Sequence, residues 1–182
     1  MTATETAPTV VPDFGDDDSD RTICFICSKG TLDMAYPALI MANGALGEGI
    51  ETHIFFTFWG MDMVNKATQH DLQFTPLGNT AMHMPPGLGK LSEKHMPQGL
   101  GGHPGMTGMA TKMLKKQIAG LDVPEVPEFL DLLVDMGAHL WACRMSVDMM
   151  DLEKDDMIDG IEDIINVSEF MELSDGAQVI FV

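Results

Sequence analysis

Apolar and polar positions follow one another along this chain in blocks that predict alternating strands and helices. The first block, Arg21-Thr22-Ile23-Cys24-Phe25-Ile26-Cys27, is a short apolar run ended by Ser28-Lys29-Gly30 and reads as a strand. Thr31–Gly47 then spaces Leu32, Ala35, Leu39 and Leu46 along one helical face. Pro37 lies beyond the first turn of that helix, which predicts a later start or a kink. Thr52-His53-Ile54-Phe55-Phe56-Thr57-Phe58, stopped by Trp59-Gly60, is a second strand whose almost unbroken apolar character suits a sheet covered on both faces.

The rhythm fails over Leu72–Met106, which carries Pro76, Pro85, Pro86, Pro97 and Pro104 among many glycines and shows little periodicity. A loop of that length in a compact domain is usually a lid, an interface arm or a disordered segment. Helical spacing returns over Thr107–Ala119 and again over Glu128–Met136, which Gly137 closes. His139–Cys143 is a buried strand, Ser146–Leu152 a short helix with Ser146 as its N-cap, Gly160–Ile164 a short strand, Val167–Leu173 a helix and Ala177–Val182 an edge strand. Strands alternating with helices predict an α/β fold, a three-layer sandwich with a mostly parallel sheet flanked by helices and right-handed crossovers. No internal repeat is visible.

Composition narrows the class. A chain of 182 residues supports one domain with a full core, here residues 21–182, preceded by a solvated acidic tail over residues 1–20. The 28 acidic side chains against 10 basic ones leave a formal charge of −18, which repels nucleic acid. Hydrophobic residues at 45% exclude an acidic disordered protein, and a folded core under such an acidic coat predicts a halophilic setting in which salt screens the self-repulsion. Three cysteines make no secreted disulfide framework. Met1–Asp20 lacks the features of a signal peptide, and no apolar run is long enough to span a bilayer, so a cytoplasmic protein is expected and membrane association is not.

Candidate chemistry gathers at the carboxyl ends of the strands, where open α/β sheets place their working residues. Cys143 stands where an apolar strand gives way to a helix start, and backbone N–H groups there favour a thiolate; the competing reading is a buried cysteine packed as a small hydrophobe. Cys27 ends the first strand at the same sheet edge, so the two thiols share a crevice if their strands are neighbours. Cys24-x-x-Cys27 lies in a strand, not at a helix start, and Cys24 points to the opposite face, into the core. Arg144 adjoins Cys143 and either holds an anionic sulfur species or offsets local acid. Trp59 ends at the same edge as a candidate binding wall, while Asp148 opposes ionisation of Cys143 if it is near the thiol. No Gly-x-Gly-x-x-Gly, Walker loop, Gly-x-Ser-x-Gly elbow or zinc pattern is present. His83, His95 and His103 with Met82, Met84, Met96, Met106 and Met109 offer donors that suit Cu(I), and an adaptable Met-rich partner surface accounts for the same residues. No metal ligands and no cofactor are assigned.

Read together, Ile26-Cys27-Ser28-Lys29-Gly30-Thr31-Leu32-Asp33, Phe55-Phe56-Thr57-Phe58-Trp59-Gly60, Met109-Ala110-Thr111-Lys112-Met113-Leu114-Lys115-Lys116 and Ala142-Cys143-Arg144-Met145-Ser146 resemble the DsrE/DsrF-like family, in particular its large Met-rich branch. The resemblance covers roughly residues 21–182. It implies an α/β sandwich, commonly a homo-oligomer, that relays sulfane sulfur as a cysteine persulfide, a sulfurtransferase-like role. It maps the carrier thiol onto Cys143 and a second thiol onto Cys27. Arg144, Ser146, Ser28, Lys29 and Trp59 are then candidates for binding substrate or partner, and the partners are sulfur-donor and sulfur-acceptor proteins, rhodanese-like or small sulfur carriers. The alternative is a non-catalytic binding or regulatory module that uses the Met/His-rich loop, or a Cu(I)-binding protein.

Overall fold

The computed structural model describes residues 21–84 and 89–182; the acidic tail and Pro85 and Pro86 lie outside the described residues. Five parallel strands, β1 (Thr22–Cys27), β2 (Glu51–Phe56), β3 (His139–Cys143), β4 (Ile161–Ile165) and β5 (Gln178–Phe181), form one sheet in the order β4-β3-β2-β1-β5. Among the described residues six α-helices accompany them: α1 (Leu32–Gly47), α2 (Gln98–Gly101), α3 (Met106–Ala119), α4 (Val126–Asp135), α5 (Arg144–Met149) and α6 (Val167–Leu173).

Strand order explains the layers. From β1 to β4 the chain steps in one direction across the sheet, then returns from that edge to the far side of β1 as β5. Right-handed crossovers put connections running in opposite directions on opposite faces. Accordingly α1 and α4 pack with Phe25, Cys27, Ile54, Phe56, Leu140 and Ala142 in the main core, whereas Phe170 of α6 packs with Cys24, Phe55, Cys143 and Ile165 on the reverse face. The rings of Phe55 and Phe170 stack with centroids 4.5 Å apart. The α/β sandwich expected from the sequence is the one observed, with β5 at an edge.

Several boundaries move for local reasons. Helix α1 starts at Leu32 and runs through Pro37 to Gly47, so proline neither delays it nor ends it. Strand β2 stops at Phe56 because Phe58–Met63 coils into a 3-10 turn entered through Phe58 at φ +47°. Helix α5 begins directly at Arg144, which leaves Ser146 inside its first turn and Cys143 at the capping position. The long irregular stretch is interrupted by α2 and by an antiparallel bridge between His83 and His95. Among the described residues no helix is long and apolar enough to cross a membrane.

Candidate functional site

Cys143 ends β3 on the reverse face of the sheet and is 3% exposed. Register decides what surrounds it. Phe56 of β2 pairs with Ala142, so the residue that follows β2, Thr57, comes level with Cys143. On the other side the turn into α5 folds Met145 and Ser146 back toward the thiol. Burial pushes the Cys143 pKa up, but hydrogen bonds from the Thr57 hydroxyl, from the backbone N–H and hydroxyl of Ser146 and from the Met145 N–H outweigh it. The thiol ends below the ordinary cysteine value.

The hydroxyl pair is itself anchored. Ser146 is fully buried, and its Oγ accepts a hydrogen bond from the Phe58 N–H at 2.7 Å. With that lone pair engaged, its hydrogen is free to point at sulfur. The Thr57 and Ser146 oxygens lie 3.2 Å apart. Phe58 adopts a left-handed conformation uncommon for an aromatic residue, and the bond from its N–H helps to offset that strain. Two glycines let the same turn sit against the end of β1. A Cβ on Gly60 would drive into the Cys27 carbonyl oxygen, and one on Gly30 into the Trp59 carbonyl oxygen. The Thr57 N–H also donates to the Cys27 carbonyl at 2.9 Å.

An open cavity of about 270 Å³ leads to the thiol, lined by Cys143, Arg144, Met145, Asp148, Asn166 and Val167. Met145 and Val167 in its lining, Met149 further along α5, and Phe58 and Trp59 on the turn that Ser146 anchors, are exposed apolar side chains. Arg144 and Asp148 therefore do line the site. Arg144 Nη2 donates to the Ile164 carbonyl at 3.0 Å, however, and the lowering of the thiol comes from hydrogen bonds rather than from the guanidinium.

The crevice shared by two thiols does not form. β2 separates β1 from β3, and Cys27, Phe56 and Ala142 occupy one row of the sheet and face the main core. Cys143, one residue further on, faces the opposite way. Cys27 is 2% exposed, and burial pushes its thiol up to about 12. Cys24 is buried, as expected, and burial and the Glu51 charge raise its thiol to about 11. Ser28 and Lys29 also lie apart from Cys143. The Ser28 N–H and hydroxyl both donate to the Val182 carbonyl, at 2.9 and 3.0 Å, while Lys29 lines a separate cavity with Thr31, Asp33 and Thr75. Thr57, which hydrogen-bonds Cys143, is the neighbour of the thiol that sequence reasoning missed; its only signal was a polar residue among the aromatic ones near the end of the strand.

Comparison with known proteins agrees with this architecture. A sequence model of the DsrE/DsrF/DrsH-like family matches residues 19–181. The chain is 37% identical over 142 residues to the sulfur carrier protein DsrE2 of Allochromatium vinosum, covering 78% of this chain and 86% of that protein. It is 28% identical over 140 residues to the uncharacterized protein YrkE of Bacillus subtilis, covering 74% and 79% of the two chains. Among solved structures, a protein of unknown function from Methanobacterium thermoautotrophicum, MTH1491, superposes with a TM-score of 0.50 at 10% identity, covering 90% of this chain and 100% of that one.

Proposed function

The chain belongs to the DsrE/DsrF/DrsH-like family, and on that premise we propose that it relays sulfane sulfur as a persulfide on Cys143. The observation that carries the reading is the contrast among its three thiols. Only Cys143 sits at an open cavity with its pKa pushed down, while Cys24 and Cys27 are buried with theirs pushed up. The similarity to the DsrE2 sulfur carrier supports the same role.

The transfer is a thiol–disulfide type exchange. The Cys143 thiolate attacks the outer sulfur of a donor persulfide, the new S–S bond forms as the donor S–S bond breaks, and the donor thiolate leaves with the electron pair. Discharge reverses the roles: an acceptor thiolate takes the outer sulfur and Cys143 departs as a thiolate. Hydrogen bonds from Thr57, Met145 and Ser146 help both halves, because they stabilise the anion that attacks in the first and leaves in the second. No outside oxidant or reductant is consumed. Cys27 faces the other side of the sheet, and Cys24, on the same face as Cys143, is buried in β1 with β2 between them and its thiol pushed up, so neither serves as a resolving thiol and sulfur leaves to a partner. The exposed Phe58, Trp59, Met145 and Met149 form the apolar surface on which donor and acceptor proteins dock.

Incubating the reduced protein with a polysulfide donor and recording intact mass tests the reading. A gain of about 32 Da per sulfur is expected in wild type and in Cys27→Ser, and none in Cys143→Ser. Equal loading of Cys143→Ser and wild type would overturn it.

A further inference from the structure

Toward the amino ends of β2 and β3 the reverse face of the sheet carries a polar cluster that sulfur transfer does not use. His53 and His139 pair directly in the β2–β3 register, and alternation along β3 puts Trp141 and then Cys143 on the same face as His139. The two imidazoles stack with centroids 4.9 Å apart. The Trp141 indole N–H donates to Nδ1 of His53 at 3.2 Å. His53 is buried, whereas Trp141 is half-buried and packs against the cluster that contains Cys143.

That bond decides where the imidazole hydrogen sits. An indole only donates, so Nδ1 accepts and the hydrogen is on Nε2, which faces the Glu51 carboxylate at 3.4 Å. Protonation of His53 adds a second hydrogen at Nδ1. Both nitrogens then donate, no rotation of the ring restores an acceptor, and two N–H groups confront each other. Stacking offers little in return, because the His53 and Trp141 centroids are 6.3 Å apart, at the limit of a cation–π contact. Trp141 is already partly open to water, which is the acceptor that replaces Nδ1. We propose that His53 is a proton-operated latch: neutral, it holds Trp141 against the sheet beside the Cys143 cluster, and protonated, it lets the indole go.

The groups around His53 set where the latch works. Burial, the largest influence, and His139 on β3 oppose the imidazolium, while Glu51 on β2 and Glu162 on β4 favour it; the balance lies below the ordinary histidine value. Glu162 is itself engaged with Nδ1 of His139. Cys24, the β1 residue that pairs with His53, adds no charge, since its thiol is pushed up to about 11. The latch is therefore closed at neutral pH and opens in mild acid.

Trp59→Phe leaves Trp141 as the only tryptophan of the chain, and the test is run in that background. Acrylamide quenching of the fluorescence and the indole proton–nitrogen cross-peak are followed from about pH 8 to about pH 5 in high salt, with far-ultraviolet circular dichroism as the check on folding. Quenching should rise and the cross-peak should move in one transition with its midpoint below about pH 6.5. Adding His53→Gln, whose side-chain oxygen still accepts but does not titrate, should hold the neutral-pH values throughout. Adding His53→Ala, which removes the acceptor, should give the acid values throughout. Adding His139→Gln should keep the transition and move it to higher pH, because one opposing influence is gone. A flat titration in Trp59→Phe alone, or a transition that survives His53→Gln, overturns the proposal. Both measurements read Trp141 and are independent of sulfur loading at Cys143.

Discussion

Replacing Ser146 by alanine deletes one hydroxyl from a fully buried position and tests whether hydrogen bonding, rather than the guanidinium of Arg144, activates Cys143. The Ser146 N–H, the Met145 N–H and the Thr57 hydroxyl remain, so one of four donors is lost. A hydrogen bond to a charged group contributes about 1.5–3 kcal/mol, and about 1.4 kcal/mol is a tenfold change in the protonation equilibrium. On the acid limb of a pH–rate profile the thiolate fraction then falls roughly ten- to a hundredfold. A more basic thiolate is also a better nucleophile, with a Brønsted slope of about 0.4–0.5, which returns roughly the square root of that loss. Iodoacetamide alkylation of Cys143, followed by peptide mass spectrometry from acid to alkaline pH, should therefore slow roughly three- to tenfold on the acid limb. The limb itself moves to higher pH. Thr57→Val, which removes the other hydroxyl with little change of shape, should move the profile the same way. An acid limb that coincides with wild type in both variants would refute the reasoning. Ser146→Ala should also lower stability by about 1–3 kcal/mol, because the Phe58 N–H loses its acceptor at a strained residue.

Cys27 and Cys24 should resist alkylation in the native protein at pH 8 and react once it is unfolded in urea; rapid native labelling of either would mean that its burial is not maintained. Gly60→Ala forces a methyl group into the Cys27 carbonyl and should cost about 1–3 kcal/mol in urea unfolding, whereas Gly44→Ala, where the added carbon meets nothing, should not. Burial and the neighbouring His139 hold the His53 imidazole below its ordinary value, so the folded state binds fewer protons than the unfolded one. Its contribution to stability is full above about pH 6.5 and is lost as pH falls below that, and His53→Gln should flatten the slope of unfolding free energy between pH 7.5 and 5.5. With a formal charge of −18, melting temperature should rise as salt is raised from about 0.1 M to 1 M and the screening length shrinks from about 10 to 3 Å; a flat response would remove the case for halophilic adaptation.

Position along a strand was legible in this chain, while the direction in which a side chain faces was only half legible. The apolar run His139–Cys143 followed by a helix start was enough to place Cys143 at a carboxyl edge, because that transition is written locally. The period of two along β1 likewise put Cys24 and Cys27 on opposite faces. Whether Cys27 or Cys24 shares the face of Cys143 depends on strand order and register, and a shift of one residue reverses every answer. Here β2 intervenes, and the row through Cys27 and Phe56 reaches Ala142, one residue short of the thiol. Adjacency tells only part of the story at Arg144: it lines the cavity beside Cys143, while the turn into α5 carries its guanidinium to the Ile164 carbonyl. The donors that lower the thiol come instead from two segments, with Thr57 and Ser146 separated by 89 residues and brought together by the β2–β3 pairing. The nucleophile is therefore a local feature of the sequence, and its activation is a property of the assembled sheet. A lesion in β2–β3 pairing that touches no residue of the cavity should raise the Cys143 pKa as surely as removing a hydroxyl does, because the same pairing sets Thr57 level with the sulfur.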